Sequence, residues 1–242
     1  MNDDLEQLLK SLKLKRLQET VKDELAWAEK KSPSYTEFLA RLLRQEYQAQ
    51  QERFLDSRIR RAKLPERWSL KTFPWKRQPG VNRRIIEQLA ELDFVQRGSN
   101  IVLIGPTGVG KTGIASALLL QCLYRGFRGK FVKAQDLFDE AYTTLADRTT
   151  RKFLDYLSRL DLLLIDEMSY LNLRAEQSNI FFKLMDERYQ GRKATIITTN
   201  LKYDEWYAFL GKKDMVAALL DRLRHRCQTI EIDGPSLRLP ED

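Results

Sequence analysis

The sequence predicts an α/β fold: a three-layer sandwich with a five-stranded parallel sheet between helices, preceded by a small all-helical domain. Three observations predict it. From about residue 81 onward, short apolar runs alternate with helical runs, the pattern of βαβ units. One strand-to-helix turn, Gly105-Pro-Thr-Gly-Val-Gly-Lys111-Thr112, has the G-x-x-x-x-G-K-[ST] spacing of a phosphate-binding loop. Upstream of about residue 64, leucines recur at three- and four-residue steps, which is helical spacing.

Leu5, Leu8, Leu9, Leu12, Leu17, Val21 and Leu25 read as one face of a first helix, ended by Lys30-Lys31-Ser-Pro33. Ser34-Tyr-Thr-Glu37 has capping-box spacing and opens a second helix. Phe38, Leu39, Leu42, Leu43 and Tyr47 form its apolar stripe. From Gln48 to Lys63 that helix turns polar and then basic. It could lie along nucleic acid, dock on a partner protein, or be a solvated end whose cations favour the C-terminal dipole. Leu64-Pro65 breaks it. Residues 65–80 carry Pro65, Pro74, Pro79 and Gly80 around Trp68, Phe73 and Trp75, and read as an aromatic-anchored linker. Phe73 either lines a nucleobase pocket or packs the linker against the next domain. The domains are therefore 1–64, helical; 65–80, linker; and 81–242, the α/β domain. Within the last, a helix is expected over 82–96. Strands are expected at 101–104, 129–133, 162–165, 194–198 and 229–232. Helices are expected near 113–125, 135–146, 150–159, 175–190 and 216–225.

The phosphate loop sets the chemistry. Gly105, Pro106, Thr107, Gly108, Val109 and Gly110 would curl the backbone so that N–H groups point at phosphate oxygens. The helix that follows brings its positive dipole end to the same place. Lys111 would reach the β- and γ-phosphates, and Thr112 would ligate Mg²⁺. Leu162-Leu-Leu-Ile-Asp166-Glu167 is a buried strand with carboxylates at its carboxyl end, the edge where open α/β sheets bind ligands. Asp166 would join the Mg²⁺ shell, and Glu167 would polarise a water for attack on the γ-phosphorus. A third strand ends in Thr198-Thr199-Asn200, where Asn200 could orient that water or sense the γ-phosphate. Near the end, Arg222 sits among clustered cations with Arg224, His225 and Arg226. Arg222 reads as an arginine finger for a neighbouring subunit's nucleotide, with Arg226 second, or as dipole-favoured arginine.

Composition excludes other classes. With 43% hydrophobic and 31% charged residues, the chain has the make-up of a soluble globular protein. No uninterrupted apolar run is long enough to span a membrane. The start, Met1-Asn-Asp-Asp, lacks the apolar core of a signal peptide. Cys122 and Cys227 are far apart and His225 is the only histidine, which excludes a Cys/His metal site and reads as two plain buried thiols in a reducing cytosol. The net charge is +8. Between Arg53 and Arg84 eleven basic residues face two acidic ones, so this segment accounts for the whole excess. Such a distribution points to a polyanion partner.

The quartet GPTGVGKT, LLLIDE, TTN and DRL is similar to the AAA+ ATPases of the initiator and helicase-loader branch. More closely, the chain resembles the IstB-type transposition helper ATPases, relatives of the DnaC-type loaders. The likeness extends to the helical N-terminus, to RRAKLP at its end, to the aromatic stretch through Phe73, and to RGSNIVLIGPTGVGKT. It implies an ATPase using ATP and Mg²⁺ in the bacterial cytosol or nucleoid. It further implies homo-oligomers with composite ATP sites on double-stranded DNA, recruiting an IstA-type transposase. Lys111, Glu167, Asn200 and Arg222 would be the catalytic set, and Thr112 and Asp166 the metal contacts. DNA contacts are expected from Arg53, Arg58, Arg60, Arg61 and Lys63, and from Lys133, Arg148, Arg151 and Lys152 after the second strand. The chain departs from the wider AAA+ pattern in stopping soon after its last strand, with no room for a helical lid. Arg238 could stand in for a lid-borne sensor arginine. The rival readings are a DnaC-like replicative helicase loader, a small-molecule phosphotransferase and a non-hydrolysing DNA scaffold.

Overall fold

A computed structural model describes residues 3–238. Met1 and Asn2, the first half of the acidic start, lie outside the described residues. Residues up to 57 and those from 58 onward form two compact units.

In the first unit the expected first helix is two. α1 (Asp3–Ser11) and α2 (Lys15–Lys31) are separated by a turn in which Lys13 takes φ 58°. The N–H of Leu14 closes that turn on the carbonyl of Leu9. The periodicity runs through the break because Leu9, Leu17 and Val21 all enter one small core, with Leu5, Leu14 and Leu42 against it. α3 (Tyr35–Ala62) begins as expected: the Ser34 hydroxyl accepts the Glu37 N–H at 3.2 Å. Its packed side is not the whole apolar stripe. Leu42 packs on the core, but Leu39, Leu43 and Tyr47 are exposed. Polar groups fix the helix instead. Glu46 is buried, accepts the Leu17 N–H at 3.0 Å and pairs with Arg53 at 2.7 Å. Glu24 accepts from Arg41 and Gln45, and the Arg41 guanidinium holds its carboxyl below the usual range.

In the second unit the linker holds only a 3₁₀ turn at Trp75–Arg77. The helix expected over 82–96 divides into α4 (Arg83–Leu89) and α5 (Asp93–Arg97). Leu92, fully buried, adopts φ 66° between them. Burying its side chain outweighs the ~1–2 kcal/mol of a left-handed non-glycine. The order then runs β1 (Asn100–Ile104), α6 (Lys111–Tyr124), β2 (Gly129–Lys133), α7 (Ala134–Ala146), α8 (Thr150–Ser158), β3 (Leu162–Met168), α9 (Ala175–Gln190) and β4 (Ala194–Thr199). A short 3₁₀ turn (Tyr203–Trp206), α10 (Tyr207–Leu210), α11 (Lys213–His225) and β5 (Cys227–Glu231) complete it. All five strands are parallel, in the order β2-β3-β4-β1-β5.

The strands read as continuous apolar runs because both faces are covered. Val102, Ile104, Leu163, Ile165 and Ile197 point into a core built with α7, α8, α9 and α11. Alternate residues face the other way, where α6 crosses β1 to β4. Cys122 is buried on α6, and burial pushes its thiol up to about 12, so it is inert at neutral pH. Cys227, expected to be buried as well, is only half-buried, because β5 is an edge strand.

Among the described residues, Arg188 is the one large charged side chain fully inside this core. Its guanidinium donates to the carbonyls of Leu157 (2.6 Å), Leu160 (3.0 Å) and Ala194, and to the Thr195 hydroxyl (3.0 Å). It thus ties α9 to the end of α8 and to the start of β4. Burial lowers its pKa to about 9. Replacing Arg188 by Met strands these acceptors and is expected to cost about 3 kcal/mol of unfolding free energy. Urea titration checks this; a loss within experimental scatter would contradict it.

Candidate nucleotide site

The parallel register gathers the carboxyl ends of β1, β3 and β4 on one edge. The phosphate loop leaves β1 after Ile104 and enters α6 at Lys111. Gly108 and Gly110 take φ of 87° and 94°, the left-handed region that favours glycine. Space as well as angle demands glycine at Gly110, where an added Cβ would lie 2.9 Å from the Phe73 ring. The expected linker anchor is therefore packed against the loop itself. Phe73 is buried and packs against Trp75 with ring centroids 4.6 Å apart and the rings tilted by 56°. Gln78 donates one amide to the carbonyls of Val109 (3.1 Å) and Pro235 (3.0 Å). The Leu237 N–H donates to the Gly108 carbonyl at 2.8 Å. The loop is thus braced from outside by the linker and by the segment after β5. Lys111 Nζ donates to the Gly105 and Pro106 carbonyls, both at 2.7 Å. Burial lowers its pKa, while the Asp166 charge opposes that shift.

Opposite the loop, β3 carries an irregularity absent from the sequence pattern. Ile165 pairs with Ile197 and Met168 with Thr199, so one extra residue is accommodated on β3. This is a β-bulge, and Glu167 within it has φ 59°. The bulge turns Asp166 inward and Glu167 outward. Asp166 is 2% exposed. The Thr112 hydroxyl faces its two carboxylate oxygens at 2.9 and 3.1 Å, and the Thr198 hydroxyl donates to Oδ1 at 2.6 Å. Burial raises the Asp166 pKa, and the two hydroxyls oppose that shift. Glu167 is exposed and pairs with Lys133 at 3.2 Å. Asn200 is exposed at the end of β4, on the same edge.

The chemistry of this donor set fits Mg²⁺. A hydroxyl and a carboxylate, both hard oxygen donors, converge beside the phosphate loop and would suit such an ion. The loop glycines and Lys111 fit the phosphates.

Arg222 lies elsewhere. α11 runs into the start of β5, and Cys227 pairs with Asn100 at the start of β1. The length of a five-residue strand, roughly 16 Å, therefore separates that edge from the phosphate loop. Arg222 pairs with Asp186 at 3.4 Å and borders a cavity of about 130 Å³ between α9 and α11. Arg226 lies over the Tyr189 ring at 5.4 Å.

The nine candidate DNA cations are not equally free. Arg53 is paired with Glu46, Lys133 with Glu167, and Arg151 with Asp155 and Glu187. Arg58 is half-buried with its Nε enclosed. Arg60, Arg61, Lys63, Arg148 and Lys152 are exposed.

A family model described as IstB-like ATP-binding protein matches residues 7–242. The chain belongs to that family. Among IstB-like relatives, the ATP-binding protein of insertion sequence IS21 from Pseudomonas aeruginosa is 36% identical over 98% of this chain and 89% of its own length. That of IS5376 from Geobacillus stearothermophilus is 35% identical over 86% of this chain and 82% of its own. The fold is that of AAA+ proteins. A replication initiator DnaA solved with AMPPCP and single-stranded DNA superposes with TM-score 0.60 at 20% identity, over 72% of this chain and 52% of that one. DnaI superposes with TM-score 0.57 at 23% identity, over 71% of this chain and 91% of that one.

Sequence reasoning missed Thr198, Lys133 as the partner of Glu167, and the bracing by Gln78 and Leu237. The signal for Thr198 was there: a hydroxyl pair closing the strand Ala-Thr-Ile-Ile-Thr-Thr. For this IstB-like chain, Gly110→Ala meets both the positive φ and the Phe73 ring. It is expected to lose about 1–3 kcal/mol of stability and to weaken binding of a fluorescent ATP analogue. Unchanged affinity and melting temperature would show that the loop adapts.

Proposed function

We propose that this IstB-like protein hydrolyses ATP in subunit-shared sites and thereby controls its assembly on duplex DNA as a transposition helper that recruits a transposase. The observation that carries the reading is the oxygen cluster of Thr112, Asp166 and Thr198 beside the phosphate loop, with Glu167 next to it. Thr112 and Asp166 would hold Mg²⁺, which when bound neutralises charge on the phosphates. Lys111 leaves its carbonyl partners for the β- and γ-phosphates. Glu167, released from Lys133, accepts a proton from the attacking water, and Asn200 orients that water. Arg222 is a strand's length from its own site, which supports a role at a neighbour's nucleotide. Its fork suits the charge spread over a transferring phosphoryl group. The insertion-sequence names of the relatives favour the transposition helper over a helicase loader, which the fold alone does not separate.

DNA binding has its own support. Arg128, Lys152, Arg159 and Tyr156 line a groove of about 380 Å³ with only Asp155 as an acidic lining residue. Arg151 already neutralises Asp155. Among the described residues, neither Lys152 nor Arg159 makes an ion pair. The exposed Arg60, Arg61 and Lys63 lie at the end of α3; the Lys130 pKa on β2 is lowered mainly by burial, and the nearby Lys63 charge adds to that. Arginine and lysine on such a surface bind phosphates without reading sequence.

The defining experiment compares Glu167→Gln with Lys111→Ala. The first is expected to bind ATP, to turn over at least about 100-fold more slowly, and to persist on DNA. The second loses both nucleotide and DNA assembly. Parental turnover by Glu167→Gln would remove the catalytic assignment. For the groove, Lys152→Glu combined with Arg159→Glu is expected to weaken duplex binding. It should also flatten the slope of log affinity against log salt by about two. An unchanged slope would place the DNA elsewhere.

A further inference from the structure

The bulge in β3 raises a question of what holds it. Glu167 sits at φ 59°, in the left-handed region that disfavours a residue with a Cβ. The register shift takes its N–H out of the regular ladder with β4. That N–H is received by a side chain: Thr198 Oγ1 accepts it at 3.0 Å. A hydroxyl has one proton to give, and Thr198 gives its proton to Asp166 Oδ1 at 2.6 Å. One buried oxygen therefore joins the backbone of Glu167 to the carboxylate of Asp166.

The neighbouring hydroxyl is not interchangeable with it. Thr199 Oγ1 donates to the Met168 carbonyl (2.5 Å) and accepts the Leu201 N–H (3.0 Å), so it serves the far side of the same bulge. Thr198 and Thr199 are both essentially inaccessible to solvent. Thr198 sits on β4, which is flanked on both sides by strands, so its backbone has little freedom to follow a relaxing β3. Without the Thr198 hydroxyl, the Glu167 N–H is left unpaired and the Asp166 carboxylate loses one of its two hydroxyl partners. The bulge can then relax toward negative φ, which swings the Glu167 carboxylate away from the nucleotide side.

We infer that Thr198 is a positioning residue for ATP hydrolysis: its hydroxyl holds the bulge that aims Glu167 and fixes the orientation of Asp166. This rests on the hydrolytic reading of the site. Thr198 is fully buried and its hydroxyl is taken up by Glu167 and Asp166, so it would act through these two neighbours. Its loss should therefore appear in the rate of the chemical step while nucleotide affinity is kept.

The test uses the full chain with Thr198→Val, which removes the hydroxyl at nearly constant volume, and Thr198→Ser, which keeps it. Thr198→Ala is read in the same way as Val where the branched side chain compromises folding, as judged by thermal melting. Thr198→Val is expected to bind a fluorescent ATP analogue within about threefold of the parent, with kcat lowered about 10- to 100-fold. Thr198→Ser is expected to recover kcat to within about threefold of the parent. Parental kcat in Thr198→Val overturns the inference. So does a parallel loss of affinity and rate that Ser fails to rescue, since that is the signature of a merely structural residue. Glu167→Gln measured alongside separates the two levels. If it turns over like the parent, the hydrolytic reading falls and this inference with it. If it is inactive while Thr198→Val is parental, only the role of Thr198 falls.

Discussion

Five strands that all run the same way divide this molecule into two chemically different edges. Every group that could meet a triphosphate follows the carboxyl end of a strand: the phosphate loop after β1, Asp166 and Glu167 at the end of β3, and Asn200 after β4. The helix C-terminus bearing Arg222 feeds the amino end of β5 and belongs to the other edge. The same register that assembles the nucleotide side thus keeps this arginine from its own site. On the proposed reading, the Arg222 guanidinium would reach a transferring phosphoryl group only in a second copy.

Within the nucleotide edge, one buried carboxylate organises the rest. Asp166 is out of water, and desolvation alone would favour its neutral form. Two hydroxyls, from Thr112 at the start of α6 and Thr198 on β4, offset this and link three elements at a single side chain. The bulge beside it places Glu167 outside the barrier of the sheet, where Lys133 neutralises it. The proposed base is therefore paired with a cation from the adjacent strand. Strain at Glu167 and burial at Asp166 are local costs, of the kind found where a fold serves a site rather than its own stability.

Much of this was legible in the sequence because the signals are periodic or local. Buried parallel strands appear as uninterrupted apolar runs, and the phosphate loop declares itself by glycine spacing. The misses have a common cause: a tertiary contact overrode a local pattern. Lys13 and Leu92 break helices with no glycine or proline to announce it, since burial of Leu9, Leu17 and Leu92 decides the chain's path. The stripe on α3 reads as a packed face, yet Glu46 and Gln45 do the anchoring while Leu39 and Leu43 stay in water. The β3 bulge has no signature in Leu-Leu-Leu-Ile-Asp-Glu, since it exists only relative to β4. Lys133 looks like any surface cation until β2 is laid beside β3. Pairing register, which a single sequence does not display, is what connects it to Glu167.

Subunit complementation addresses the proposed sharing of the site most directly. Lys111→Ala cannot use its own nucleotide but retains Arg222; Arg222→Ala retains a complete loop but has no arginine to offer. Each variant alone should be nearly inactive in DNA-stimulated ATP hydrolysis. Mixed in equal amounts, they should regain a substantial fraction of parental activity, because the first can complete the second. Full activity of Arg222→Ala by itself, or a mixture no more active than its components, would contradict a nucleotide site built from two subunits.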